Sequence, residues 1–113
     1  MKLIIAIIQP EALSAVDREL YKEEVYKITV SNAIGRGEAD GFKEVWRGIS
    51  EEIHLLKKVR LEIAVNENFV ERTIAALLRG AKTGEVGDGK IFVLPLEDCI
   101  RIRTGEHGKN AIG

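Results

Sequence analysis

Residues 83 to 92, TGEVGDGKIF, bring three glycines, an aspartate and a lysine to the approach of an apolar run. Successive backbone N–H groups in a Gly-rich turn form a concave nest suited to phosphate oxygens, and Lys90 would add positive charge. The same residues also fit a plain tight connection, since glycine supplies the positive φ of sharp turns. Dinucleotide and P-loop fingerprints do not apply, because they need strand, glycines and helix in that order, and here a helical pattern precedes the glycines. Farther on, Arg101 and Arg103 alternate with Ile100 and Ile102, so on a strand both guanidiniums would share one face. Such a pair would either grip triphosphate oxygens bidentately or charge a solvated edge strand.

Other reactive side chains form no constellation. His54, His107 and Cys99 have no metal-ligand spacing, so no metal site is expected from protein side chains. Asp98 beside Cys99 lacks a neighbouring base in sequence, and Glu51 and Glu52 fit solvated charge as well as acid–base work. No catalytic residue is assigned. Phe42 and Trp46 lie in a polar stretch, where large aromatics either anchor a partner or fold back onto the body.

The elements that must position these groups follow from periodicity. At 113 residues the chain is long enough for one domain with a real core. Its 45% hydrophobic and 31% charged residues with net charge −1 argue for a globular protein and against a nucleic-acid partner. One cysteine forms no internal disulfide, no leader precedes the first apolar run, and no run approaches the roughly 20 residues of a membrane helix. The expectation is a cytoplasmic protein that meets a membrane only through a partner.

KLIIAII (2 to 8) suits a buried strand stopped by Pro10, and Leu13, Val16 and Leu20 mark a helix over 11 to 22. Tyr26, Ile28 and Val30 alternate as a second strand, and Val59, Leu61, Ile63 and Val65 as a third. Between them lies GRGEADGFKEVWRGISEEIHLLK, with four glycines and no clean period. Val70, Ile74, Leu77, Leu78 and Ala81 form a second helical stripe, with Asn66 or Asn68 available as cap and Gly80 near its end. IFVLPL is a fourth, buried strand, and IRIR alternates after it. This order predicts an α+β, ferredoxin-like βαββαβ sandwich, an antiparallel sheet with two helices on one face and an open face that self-association would cover.

The segment TGEVGDGKIFVLPLEDCIRIRTGE (83 to 106) is similar to the carboxy-terminal signature of the PII signal transduction proteins, trimeric nitrogen and carbon sensors. AIIQP near the start, GRG and WRG in the long stretch, and KVRLEI extend the resemblance over nearly the whole chain. It implies a single PII-type domain over 1–113, a homotrimer, and ATP or ADP competing for each cleft between subunits, with Mg²⁺ accompanying ATP. By similarity, the backbone of Gly87, Asp88 and Gly89 and the side chain of Lys90 hold phosphate in a B-loop of about 82–90. Arg101 and Arg103, in a carboxy-terminal segment of about 97–113, reach across the cleft. Thr29, Glu62 and Ala64 would line the adenine pocket, with Gly35 and Gly37 letting the base of the long loop approach.

The long loop, about 37–55, corresponds to the family's T-loop, which docks into ammonium channels or enzymes of nitrogen metabolism; Phe42, Trp46 and Arg47 would face that client. Lys58 matches the residue that pairs with a 2-oxoglutarate carboxylate. The chain departs from the family where the usual RQKG is EADG: Glu38 replaces a phosphate-contacting arginine, and Ala39 a glutamine that helps bind Mg²⁺ and place 2-oxoglutarate. An alanine methyl coordinates no metal. Glu51 stands at the position of the modified tyrosine and Ile49 at that of the phosphorylated serine, with Ser50 beside it. The resemblance thus implies a non-enzymatic nitrogen sensor, at most a slow ATPase, or an energy sensor that has lost its 2-oxoglutarate response and serves a client outside nitrogen metabolism.

Overall fold

β1 (Lys2–Ile8) turns Ile4, Ala6 and Ile8 into the core and leaves Leu3, Ile5 and Ile7 half-buried on the opposite face. That alternation is the period of two expected of a strand covered better on one side. Pro10 then opens a short 3₁₀ turn, Pro10–Ala12, which feeds α1 (Leu13–Lys22). The computed structural model describes residues 1–37 and 55–113, and continues through β2 (Thr29–Gly35), β3 (Leu56–Val65), α2 (Val70–Ala81) and β4 (Gly89–Pro95) to a four-residue helix, α3 (Lys109–Ile112).

All strand pairs are antiparallel in the order β2-β3-β1-β4, which is the ferredoxin-like arrangement expected from the element order. β1 and β3 are central, with Ile4 opposite Ile63 and Ala6 opposite Leu61. Val59, Leu61, Ile63 and Val65 all face the helices and are buried, as their alternation predicts. The core closes when Val16 and Leu20 of α1 and Ala76 and Leu77 of α2 cover this side of the sheet. Each fully buried Leu or Ile contributes about 1.5–3 kcal/mol relative to exposure.

Gly80 explains how close the two helices come. A Cβ there would lie 2.6 Å from the Val16 Cα and 2.8 Å from its N, so α2 meets the backbone of α1. Arg79 ties the same pair at the surface through Glu19 at 2.8 Å and Glu23 at 3.0 Å. The Arg79 guanidinium, with help from Lys22, holds the Glu19 carboxyl below the usual glutamate range.

Four details differ from the sequence expectation. β2 begins at Thr29, because the chain leaving α1 first spends Tyr26 on a ring contact with Tyr21, centroids 4.8 Å apart. No asparagine caps α2: a 3₁₀ turn over Glu67–Phe69 leads in, and the Asn66 amide donates to the Lys109 carbonyl at 3.2 Å. β4 starts at Gly89 and is an edge strand, so Phe92, Val93 and Leu94 stay exposed in the single chain. IRIR forms no strand: only Ile100 makes a bridge, to His107, and residues 102 to 104 turn, leaving Ile102 fully exposed. The local reason is a set of contacts within the carboxy-terminal segment that compete with strand pairing.

Candidate functional site

The glycine turn sits at the end of the sheet where β1 finishes and β4 begins. Gly89 opposes Ile8 across the β1–β4 pairing with φ +116°, and a Cβ there would fall 1.8 Å from the Ile7 carbonyl oxygen. Only glycine fits that close approach. The loop before it is closed by Asp88, whose carboxylate accepts hydrogen bonds from the Thr83 N–H at 2.8 Å, the Gly84 N–H at 3.0 Å and the Thr83 hydroxyl. The Thr83 hydroxyl, then these backbone donors, hold the Asp88 carboxyl below the usual aspartate range. Gln9 fixes the other side of the loop by donating to the Gly87 carbonyl at 2.6 Å.

Beside this loop is a cleft of about 390 Å³ lined by Gly35, Gly37 and Lys58 from the base of β2 and β3, and by Gly87, Gly89 and Lys90. Ile7, Arg36, Val86 and Phe92 complete it. The register explains the grouping, since Lys90 lies opposite Ile7, Ile7 opposite Arg60, and Gly35 pairs with Leu56 two residues before Lys58. Lys58 is 8% exposed, a buried cation that shares the cleft with Arg36 and Lys90. Lys58, Lys90 and Arg36 around one cleft suit a polyanion, and Ile7 and Phe92 suit an apolar ring.

Of the remaining expected residues, Thr29 and Glu62 lie in mid-sheet at the β2 side, in the cross-strand row that runs on through Ile5 to Phe92. Thr29 pairs with Glu62, whose carboxylate accepts from the Arg60 Nη2 at 2.8 Å, and Ala64 follows on the same face. Ala64 borders a smaller groove with Lys27, Asn66, Ile112 and Gly113. Arg101 lies by the carboxy-terminus: its guanidinium donates to Glu106 at 2.9 Å, to the Asn110 carbonyl at 3.0 Å and to the Ala111 carbonyl at 3.3 Å. Arg103 is exposed in the turn after it. Asp98 pins the same segment by accepting from the Cys99 and Gly108 N–H groups and meeting the His107 Nδ1 at 2.8 Å. His107 foremost holds the Asp98 carboxyl below the usual aspartate range.

The expected residues therefore form two groups. Gly35, Gly37, Lys58, Gly87, Gly89 and Lys90 share one cleft, with the Asp88 backbone in its loop; Thr29, Glu62, Ala64, Arg101 and Arg103 do not reach it within the chain. Phe42, Trp46 and Arg47, with Glu38, Ala39 and Glu51, lie outside the described residues. Sequence reasoning missed Gln9, the Asp88 side chain, Ile7, Arg36, Val86 and Phe92. Gln9, a lone polar side chain between an apolar strand and Pro10, and Arg36, a cation between two glycines, carried a local signal; the others did not. Among the described residues no group of three His, Cys, Asp or Glu side chains is placed to hold a metal, and no helix is long and apolar enough to cross a membrane.

Comparison with known proteins identifies the family and the fold. The family model described as nitrogen regulatory protein P-II matches residues 1–106. The chain is 54% identical over 114 residues to nitrogen regulatory protein GlnK1 of Methanosarcina mazei, covering 99% of this chain and 97% of that protein. It is 45% identical over 112 residues to nitrogen regulatory protein P-II of Azospirillum brasilense, covering 99% and 100%. The crystal structure of Arabidopsis thaliana PII bound to citrate superposes with a TM-score of 0.77 at 37% identity, covering 96% of this chain and 86% of that one.

Proposed function

Because the chain belongs to the nitrogen regulatory protein P-II family, we propose that it is a homotrimeric sensor that binds ATP or ADP between subunits and regulates a transporter or enzyme of nitrogen metabolism. Members of this family are regulatory proteins, and this chain is one rather than an enzyme.

The observation that carries the reading is the split of the expected site. Thr29 and Gly35 are the two ends of a seven-residue strand, and six residue steps span about 20 Å. One chain cannot fold the two ends of β2 together, but a second copy that sets its Thr29, Glu62 and Ala64 against the first copy's Gly89 loop completes a pocket. The open sheet face supports such packing, because Leu3, Ile5, Ile7, Phe92 and Leu94 fall on one side by register.

In that pocket the N–H groups of the 82–90 B-loop and Lys90 would hold phosphates, with Arg101 and Arg103 of the neighbour's 97–113 segment approaching from across the cleft. Arg101 would first have to exchange its own carbonyl partners for phosphate. Gly35 and Gly37 line the cleft where the chain enters the 37–55 T-loop, so a ligand there would bias the loop that carries Phe42, Trp46 and Arg47 towards one geometry. An ammonium channel or a nitrogen-metabolism enzyme would read that geometry. The setting is the cytoplasm, with any membrane contact made through the client.

A second reading is favoured by Ala39 and Glu38: an energy sensor indifferent to 2-oxoglutarate. Without an amide at position 39, Mg²⁺ and 2-oxoglutarate lose a ligand, and Glu38 adds negative charge near a triphosphate. Calorimetric titration with ATP and ADP, each with Mg²⁺, in the presence and absence of 2-oxoglutarate, separates the two readings. ATP binding strengthened by 2-oxoglutarate identifies a nitrogen sensor in which Lys58 suffices. Binding indifferent to it identifies the energy sensor, and a monomer with no nucleotide affinity sinks both.

A further inference from the structure

We propose that α3 is an internal competitor of the nucleotide: docked, it occupies the Arg101 guanidinium, and a phosphate that takes Arg101 bidentately must release it. The inference rests on the nucleotide reading above, in which Arg101 serves the cleft of a neighbouring subunit.

A guanidinium grips a phosphate bidentately along one of two edges, Nη1 with Nη2 or Nε with Nη2, so either grip needs a hydrogen of Nη2. The Arg101 Nη2 has two hydrogens and donates to two carbonyls, Asn110 at 3.0 Å and Ala111 at 3.3 Å. Nη1 donates to the Glu106 carboxylate at 2.9 Å, which also accepts from the Thr104 hydroxyl at 2.9 Å. With α3 docked, neither edge is free, and only separate single N–H contacts remain for an anion. The negative Glu106 beside the guanidinium opposes even those.

The dependence runs both ways, because α3 needs Arg101. The last carbonyls of a helix have no partner inside it, and a helix of four residues cannot stand alone. Side chains from elsewhere supply the partners: Asn66 donates to the Lys109 carbonyl at 3.2 Å, Arg101 to those of Asn110 and Ala111, and Lys27 to that of Ile112 at 3.4 Å. Ala111 is the only residue of α3 that is buried, so little packing replaces a lost donor. Upstream, Asp98 accepts from the Gly108 N–H at 3.1 Å and meets the His107 Nδ1 at 2.8 Å, so the chain up to Gly108 keeps its own anchor when α3 leaves. Ile112 and Gly113 also border the groove that contains Ala64, which places the docked tail beside a residue expected on the adenine side as well as on Arg101.

The test measures ATP affinity by calorimetry in wild type, in a chain ending at Gly108, and in full-length Ala111→Asp, which sets a charge at the buried position of α3. Binding about tenfold tighter than wild type is expected in both variants, the gain when about nine chains in ten hold Arg101 in the docked state. In an Arg101→Met background the same truncation should change affinity by less than about twofold, because the contested group is gone. In wild type, saturating ATP should speed amide hydrogen exchange at Ala111, Ile112 and Gly113, whose N–H groups bond Gly108 and Lys109 when α3 is docked. That last readout needs no variant, and damage to folding cannot imitate a gain in affinity. Affinity within twofold of wild type or weaker in both variants, a gain that survives Arg101→Met, or unchanged exchange at 111–113 under saturating ATP would overturn the proposal. A wild type that binds no ATP would instead overturn the nucleotide reading beneath it.

Discussion

Gly80→Ala should destabilise this protein, against the usual rule for a helical glycine. In an exposed helix the change gains about 1 kcal/mol of propensity. At this position the new Cβ would sit 2.6 Å from the Val16 Cα, 2.8 Å from its N and 2.9 Å from its Cγ2. Overpacking a tight contact costs about 1–3 kcal/mol, and backbone atoms cannot rotate aside, which puts this case at the upper end. The net is about 2 kcal/mol of lost stability, or roughly 8 °C in melting temperature for a chain of this size. The assay is a thermal melt without ligand at one fixed protein concentration, since association raises the midpoint. Repeating the substitution in a Val16→Ala background sharpens it: truncating that side chain removes the Cγ2 contact but not the two backbone contacts, so the loss should persist. An unchanged or higher melting temperature for Gly80→Ala would refute the close backbone approach of α2 to α1.

Asp88→Ala should open the glycine loop, because it removes the one oxygen that accepts from both the Thr83 and Gly84 N–H groups; faster amide exchange at those two positions is the expected readout, and unchanged exchange counts against the clasp. Acid should release the carboxy-terminal segment. The Asp98 carboxyl is lowered from 3.8 by His107 first, so its contribution is fully present above that value and is lost as pH falls through the lower folded value. Exchange of the Gly108 amide should accelerate in that window in wild type and already be fast at neutral pH in Asp98→Ala. Ala39→Gln should restore or strengthen the 2-oxoglutarate dependence of ATP binding, measured by calorimetry; no change would place the loss elsewhere in the 37–55 segment.

Periodicity exposed most of the fold. The Val59, Leu61, Ile63 and Val65 alternation and the Val16 and Leu20 stripe are dictated by burial against a neighbouring layer, and burial is written into residue type. Elements without such a constraint were less legible. IRIR has the alternation of a strand, yet no strand among the described residues pairs with it, and Arg101 instead satisfies carbonyls of the last residues. The site was legible in its glycines and lysines, because the backbone approach of Gly89 to Ile7 leaves no other residue type possible. Gln9 and the Asp88 carboxylate were not, since their roles depend on which loop atoms lie within hydrogen-bond reach, and sequence spacing carries no such distance. Ile7 and Phe92 serve strand and cleft together, so their pattern revealed only the strand.

The central claim, that adenine nucleotide sits where the glycine loop of one subunit meets the Thr29, Glu62 and Ala64 face of its neighbour, is tested most directly by mapping ATP-induced amide shifts over the whole chain. The account predicts large shifts at Gly87, Asp88, Gly89, Lys90, Gly35 and Gly37 in one group and, in the same titration, at Thr29, Glu62, Ala64 and Arg103 in the other. Shifts confined to a single group, or falling on the helical layer of α1 and α2, would contradict it.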